Sequence, residues 1–370
     1  MPDAPLILLA AGGTGGHLFP AEALGSALLK RGLRVRLVTD ERAVRYSGLF
    51  SEGMFDVVPS ETVRSRNPLA LAKTAVVLVT GTAIALNLVR RLKPAAMIGF
   101  GGYPTLPPLL AARLLRVPTL IHDSNAVLGR ANRFLAARVD AIATSLPGVF
   151  DRDPALAAKA TLTGTPLRPA VLAATANAYL PPSIDGPLRL LVVGGSQGAR
   201  IMADIVPPAI ERLEPALWRR LVLVQQVREE DLARVRSVYD RLKIDAELAP
   251  FFTDLPARLA AAHLVVSRSG AGTVAELAGI GRPSILVPLP GSIDQDQFAN
   301  AGVLMQAGGA IRVPQTEFTP DRLASEISTL AAEPQRLADM ARYARSAGTL
   351  DAAERLADLV KKVAGIGSAA

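Results

Sequence analysis

Twice in its 370 residues the chain runs an apolar strand straight into a cluster of glycines and then into a helix. The first instance is LILLA (6–10) followed by Ala11-Gly12-Gly13-Thr14-Gly15-Gly16-His17, and the second is LRLLVVGG (188–195) followed by Ser196-Gln197-Gly198-Ala199-Arg200. Glycine at a strand–helix turn lets the backbone come close to a ligand, and the free N–H groups at the helix start favour an anion. A tight turn alone needs fewer glycines than the first loop carries. Neither loop is G-x-G-x-x-G, and neither has the lysine of a P-loop, so a dinucleotide or Walker-type site is disfavoured.

Around these loops, strand-like runs alternate with helical segments. Strands are predicted over 6–10, 33–39, 95–100, 118–122 and 141–145, with a helix over 17–31. The pattern restarts at 188–195, with a helix over 197–213 and strands over 221–226, 246–251, 263–269 and 283–289. Such alternation argues for parallel sheets covered by helices on both faces. A single core seldom exceeds roughly 250–300 residues, so two α/β domains are expected. The segment 164–187 holds five prolines and marks the junction. The expected units are 1–166, 167–348 and a C-terminal helix, 349–370, able to cross back to the first domain. In doubly wound sheets ligands bind at the carboxyl ends of the strands, so the two domains are expected to face one cleft.

Composition narrows the chemistry. The absence of cysteine removes disulfides, thiolate metal sites and cysteine nucleophiles, and suits a cytoplasmic setting. No basic stretch precedes the first apolar run, which reads as a strand and not a signal peptide. The longest uncharged apolar run, 74–89, has 16 residues; a spanning helix needs ~20. The net charge of +8 is uneven: residues 1–166 hold 19 Lys and Arg against 11 Asp and Glu, and residues 167–370 hold 22 of each. A basic domain attracts an anionic partner. Aromatics are only 4% and no aromatic platform is visible, which excludes the usual nucleic-acid modules. The run 74–89, flanked by Arg64, Arg66, Lys73, Arg90, Arg91 and Lys93, predicts a patch on an anionic membrane surface; a buried core helix with solvated basic ends is the other reading.

Further polar clusters fall at strand ends. In Ser267-Arg268-Ser269-Gly270-Ala271-Gly272-Thr273-Val274-Ala275-Glu276, a carboxylate one turn into a helix can accept both hydroxyls of a ribose, or simply favour the helix dipole. Asp294-Gln295-Asp296-Gln297 suits sugar hydroxyls, or a capped polar first turn. Gly99-Phe100-Gly101-Gly102-Tyr103 and His122-Asp123-Ser124-Asn125, followed by Asn132, close strands of the first domain. His17 is suited to proton transfer or to contact with a phosphate, or to capping its helix. His263 reads as structural. The Asp-x-Asp triplets at 151–153 and 294–296 are poorly placed for a diphosphate-bound metal. Helix dipoles and arginines are expected to do the neutralising, with no metal and no cofactor.

Taken together, AGGTGGHLFP (11–20), GFGGYP (99–104), HDSNAVLGRANR (122–133), TGTPLR (163–168), VVGGSQGAR (192–200), SRSGAGTVAEL (267–277) and DQDQFANA (294–301) closely resemble the MurG family over essentially the whole chain. Those enzymes move N-acetylglucosamine from UDP-N-acetylglucosamine onto an undecaprenyl-pyrophosphoryl-muramyl-pentapeptide. The resemblance implies a GT-B fold, with two Rossmann-like domains, an acceptor half and a UDP-sugar half, and inverting transfer without a metal. It implies donor contacts at Thr14, Gly15, Gly16, Arg168, Gly195, Ser196, Gln197, Gly198, Phe251, Phe252, Arg268, Gly272, Thr273, Glu276, Asp296 and Gln297. Acceptor contacts are implied at Thr14, Gly15, His17, Gly102, Tyr103, Asn125 and Asn132. His17 is the expected base, with Asp123 as the alternative. Implied partners are the two substrates, the anionic cytoplasmic face of the inner membrane as a peripheral site, and other cell-wall synthesis proteins. The chain departs from the family at Asp123-Ser124, at Gln225-Gln226-Val227-Arg228 and at Asp296. A UDP-sugar 2-epimerase of the same fold, or a nonenzymatic nucleotide-sugar-binding subunit, are the rival readings.

Overall fold

A computed structural model describes residues 4–13, 15–41, 50, 53–61, 67–195, 198–292 and 296–367, without the side chains of 70 and 71. The chain forms two compact units, Met1–Arg168 with Leu350–Ala370, and Pro169–Thr349.

In the first unit the strands are β1 (Leu6–Ala10), β2 (Arg34–Thr39), β3 (Phe55–Val57), β4 (Ala96–Gly99), β5 (Thr119–Asp123), β6 (Ala141–Thr144) and β7 (Ala160–Leu162). They form one parallel sheet ordered β3-β2-β1-β4-β5-β6-β7. The order reverses between β1 and β4, where Leu8 lies beside Met97. Its helices are α1 (Gly15–Lys30), α2 (Pro68–Leu92), α3 (Leu106–Leu114), α4 (Arg130–Ala136) and α5 (Pro154–Ala157). The apolar side chains of the central strands divide between two clusters. Ile7 and Leu9 pack with Leu24 and Leu28 of α1, whereas Leu8 and Met97 pack with Val89 of α2, Leu109 of α3 and Leu135 of α4. Burial on both faces explains why these strands read as unbroken apolar runs.

The second unit repeats the plan. Its strands are β8 (Leu188–Val193), β9 (Leu221–Gln226), β10 (Ala246–Ala249), β11 (Leu264–Ser267), β12 (Ser284–Leu286) and β13 (Ala310–Arg312), parallel in the order β10-β9-β8-β11-β12-β13. Here the order reverses between β8 and β11. Its helices are α6 (Pro169–Ala174), α7 (Arg200–Glu211), α8 (Pro215–Trp218), α9 (Glu229–Leu242), α10 (Leu255–Ala261), α11 (Ala271–Ile280), α12 (Asp296–Ala307), α13 (Pro320–Ala332) and α14 (Pro334–Ser346). Arg282 is 1% exposed and donates to the carbonyls of Leu259 and Ala260 in α10, of Ile280 in α11 and of Asn177. A buried cation among the carbonyl ends of two helices is stabilised by their dipoles. Burial still lowers its pKa, to about 10.

The last helix, α15 (Ala352–Val363), belongs to the first unit. Leu356 and Val360 share a buried cluster with Leu24 and Leu28, and Arg31 pairs with Glu354 and Asp358 at 2.5 and 2.6 Å.

α2 is longer than its uncharged run. Asn67 caps its start by accepting from the Leu69 N–H at 3.0 Å, and Lys93 ends it in a left-handed conformation. By length and composition Ala72–Leu92 suffices to cross a bilayer. Ala85, Leu88 and Val89 are nevertheless buried in the first unit's core, while Leu69, Val76 and Val79 are 64–81% exposed. It is a one-sided packed helix, not the fully buried core helix that the sequence allowed. Arg64 and Arg66 lie outside the described residues.

Candidate functional site

Each glycine loop leaves a central strand beside the point where its sheet reverses order, the place where doubly wound sheets bind ligands. In the first unit, four carboxyl ends bring together the predicted residues. The β1 loop passes Gly12 and Gly13 into α1, Gly15 and Gly16 opening the helix and His17 following. Thr14 lies outside the described residues. Asp40, just past β2 and 4% exposed, accepts from the Gly13 N–H at 3.1 Å. His17 Nδ1 is 3.2 Å from the Gly12 carbonyl oxygen. That oxygen only accepts, so Nδ1 carries the proton and Nε2 of the neutral ring holds a lone pair. The His17 ring lies against the β4 loop, where a side chain at Gly101 or Gly102 would come within 3.3 Å of it. Both glycines have positive φ (90° and 75°), and Gly102 leads into the turn that starts at Tyr103.

Burial, the largest influence, lowers the His17 pKa from its ordinary 6.5, against the raising effects of Asp123, the Gly12 carbonyl and Asp40. The ring is thus neutral at pH 7, with two carboxylates near enough to favour its charged form when it takes a proton.

Asp123 closes β5 and is almost wholly engaged. Its Oδ1 accepts from the Asn125 N–H and Nδ2 at 3.0 and 3.3 Å, and its Oδ2 from the Gly129 N–H and Asn132 Nδ2, both at 3.0 Å. Asn132 is 1% exposed and also donates to the His122 carbonyl at 2.9 Å. Both side chains brace the β5 loop. Arg168, where the chain leaves this unit for the second, stacks on Phe19 of α1 at 3.8 Å, and the Phe19 ring in turn fills the space over Gly15.

In the second unit the β8 loop begins at Gly194 and Gly195; Ser196 and Gln197 lie outside the described residues. Adding a side chain at Gly194 would place it 2.2 Å from the Ala199 nitrogen, so the loop doubles back tightly on itself. Gly198, with φ 69°, packs beneath the Arg228 side chain. Gln226, the last residue of β9, accepts from the Gly194 N–H at 2.9 Å and donates to the carbonyls of Gly195 and Pro250 at 3.1 and 3.0 Å. One amide thereby ties the glycine loop to the loop carrying Phe251 and Phe252, of which Phe251 is half exposed and Phe252 buried against Arg258. Sequence alone did not single out Gln226 or Asp40 as site residues. For Gln226 the only signal was a polar pair ending an otherwise apolar strand; Asp40, one residue past a strand that already carries two arginines, gave none. Gln225, beside Gln226, faces the core, accepting from the Tyr239 hydroxyl at 2.5 Å.

Across the reversal, β11 leads through Arg268 to Gly270 and α11, which carries Gly272, Thr273 and the 8%-exposed Glu276. Arg268 is buried, donating to the carbonyls of Val287 and Pro288, both at 3.1 Å, and to Gln315 at 2.6 Å. Its two terminal nitrogens thus anchor it to the loop after β12 and to Gln315. The start of α12 is tied to the same loop, since Ser269 donates to the Gln297 carbonyl at 2.8 Å. Gln297 Oε1 accepts from the Leu289 N–H at 3.1 Å, and Asp296 Oδ1 from the Gln297 N–H at 2.7 Å. Asp294 and Gln295 lie outside the described residues. Among the described residues, no group of three or more His, Asp or Glu side chains is arranged to hold a metal ion. His263 is structural: its Nδ1 accepts from the Arg189 N–H at 3.1 Å.

Two parallel doubly wound units with glycine loops at both reversals define a nucleotide-binding class of α/β protein. Residues 7–144 match the glycosyltransferase family 28 N-terminal domain, and residues 189–356 match the glycosyltransferase family 28 C-terminal domain. The chain belongs to glycosyltransferase family 28, and its two Rossmann-like units are those of a GT-B enzyme. It is 78% identical over 364 residues, 98% of this chain and 99% of the relative, to the UDP-N-acetylglucosamine–N-acetylmuramyl-(pentapeptide) pyrophosphoryl-undecaprenol N-acetylglucosamine transferase of Bradyrhizobium sp. (strain ORS 278). The protein of the same name from Nitrobacter hamburgensis is 73% identical over 370 residues, the whole of both chains. Among solved structures, Acinetobacter baumannii MurG superposes with a TM-score of 0.76 at 29% identity, covering 97% of this chain and 99% of that one. The UDP-GlcNAc 2-epimerase from Neisseria meningitidis, at 12% identity, a TM-score of 0.67 and coverage of 96% and 100%, shares the fold alone.

Proposed function

We propose that the chain transfers N-acetylglucosamine from UDP-N-acetylglucosamine to undecaprenyl-pyrophosphoryl-muramyl-pentapeptide, converting lipid I into lipid II. The observation that carries this reading is the 73–78% identity, over 98–100% of the chain, to transferases named for that reaction.

The unit Pro169–Thr349 is assigned to the donor. Its diphosphate goes to the Gly194–Ala199 loop and the start of α11, where N–H groups neutralise charge that builds as UDP departs. Glu276 is assigned to the ribose hydroxyls, Thr273 and Gly272 to the phosphates, Phe251 and Phe252 to the uracil, and Asp296 and Gln297 to the sugar hydroxyls. Arg168 adds a positive charge beside α1. These groups do the neutralising without a metal. Arg268 is assigned to holding the β11 loop, since its terminal nitrogens donate to Val287, Pro288 and Gln315.

The first unit is assigned to the acceptor. His17 Nε2 takes the proton of the acceptor hydroxyl as that oxygen attacks the anomeric carbon. UDP leaves from the opposite side, so the anomeric configuration inverts in one displacement. Asp123 is assigned to bracing and to supporting the charged His17, not to proton transfer, because both of its oxygens already accept hydrogen bonds. Gly102, Tyr103 and Asn125 border the acceptor. The exposed apolar row of α2, with Lys73, Arg90 and Arg91, is assigned to the anionic cytoplasmic membrane surface.

The test is incubation with labelled UDP-N-acetylglucosamine and the lipid-linked acceptor. Labelled lipid and free UDP are expected in equal amounts. UDP release without labelled lipid, or neither, overturns the reading.

A further inference from the structure

A cavity of about 270 Å³ lies between α2, α3 and α4, walled by Leu78 and Thr82, Leu106 and Leu110, and Phe134. The Thr82 hydroxyl is satisfied within its helix, donating to the Leu78 carbonyl at 2.7 Å. The wall therefore offers hydrocarbon and no free hydrogen-bonding group from these side chains. The remaining polar tips at the cavity are those of Tyr103 and Arg130.

We propose that this cavity holds the first isoprene units of the acceptor's polyprenyl chain, those nearest its diphosphate. The inference rests on the lipid-linked acceptor assigned above, and five observations carry it. The lining suits a chain with no donors or acceptors. Taking roughly 30 Å³ per heavy-atom group, the share of a water molecule in the liquid, the volume accommodates about nine such groups, close to two isoprene units. Tyr103 joins the cavity directly to the Gly101–Gly102 loop that packs on His17, so an acceptor with its sugar at His17 has its lipid end on this side. Arg130, exposed at the cavity, complements the diphosphate between sugar and lipid. A chain leaving the cavity then meets exposed carbon of α2, where Val76 and Val79 are 64% and 70% exposed, instead of water.

The slot differs from general membrane contact, and the two are separable. Steady-state kinetics on the full-length protein would use acceptors with the same sugar, peptide and diphosphate, bearing either one isoprene unit or three. Wild type is expected to show a KM at least tenfold lower for the longer chain. Thr82→Phe, which fills the cavity from α2, is expected to shrink that ratio to less than twofold, with flotation on anionic phosphatidylglycerol vesicles retained. A ratio that survives the substitution, or vesicle binding lost while chain-length preference persists, overturns the slot in favour of surface contact. A second arm needs no variant: geranyl diphosphate is expected to compete with the acceptor at least tenfold better than inorganic pyrophosphate, and equal potency contradicts the proposal. Failure of the acceptor reading itself looks different, because no lipid-linked muramyl-pentapeptide of any chain length would then be glycosylated.

Discussion

The two glycine loops occupy equivalent places and are held by equivalent residues of opposite character. In each unit a side chain at the end of the second strand, or one residue past it, reaches across to the loop of the first and accepts from a glycine N–H. In the first unit that side chain is Asp40, at 3.1 Å from Gly13; in the second it is Gln226, at 2.9 Å from Gly194. A buried carboxylate has already taken an amide in the first loop and repels any further anion. A neutral amide leaves the second loop's field positive. The difference separates two cradles that look alike in sequence: the second suits a diphosphate, whereas the first suits a group that must become positive, the role proposed for His17.

The largest effect is expected at His17. His17→Ala should lower kcat by roughly 10²–10⁴, the usual worth of a positioned base, while KM for UDP-N-acetylglucosamine stays within twofold. Near-normal turnover removes His17 from proton transfer. Next is Gln226→Glu, which gives the second loop the charge of the first. A carboxylate within about 6 Å of a phosphate charge, at an effective dielectric of ~20, costs roughly 2–3 kcal/mol, so donor KM should rise by about 30–100-fold. The thermal midpoint is measured alongside, since Glu also faces the carbonyls of Gly195 and Pro250.

A smaller effect is expected in the pH profile. Turnover should rise with pH through the His17 pKa, which lies below 6.5, and then level off. Asp40→Asn keeps an acceptor for Gly13 but removes a charge that raises the His17 pKa, so the acid limb should move to lower pH. An unmoved limb would remove Asp40 from the electrostatics of His17. The smallest effect concerns stability. Burial lowers the pKa of His122 and His263 as well as that of His17. Each folded-state pKa lies below the unfolded 6.5, so below that pH the unfolded chain binds more protons. Stability is then complete above about pH 6.5 and falls as the pH drops toward the folded values. Thermal melts at decreasing pH should show it, with a shallower decline for His122→Gln.

The sheets were legible in sequence because strands buried on both faces are apolar without interruption, and β1 and β8 could each be read up to their glycines. The edge strands β3, β7 and β13 were not. Each has three residues, FDV, ATL and AIR, too few to show a period. Asp40 and Gln226 were illegible for another reason. Their partners lie 27 and 32 positions away, and only strand pairing brings them together. α2 extends beyond its uncharged run because its ends are set by the capping residues Asn67 and Lys93, and not by charge.

The loop held by Gln226, and not the one held by Asp40, is proposed to carry the donor's diphosphate. Titration calorimetry of UDP into wild type, Gln226→Glu and Asp40→Asn tests it directly. UDP binding is expected to weaken at least tenfold in Gln226→Glu and to stay within twofold of wild type in Asp40→Asn. A change in Asp40→Asn as large as that in Gln226→Glu, or no change in either, would contradict the account.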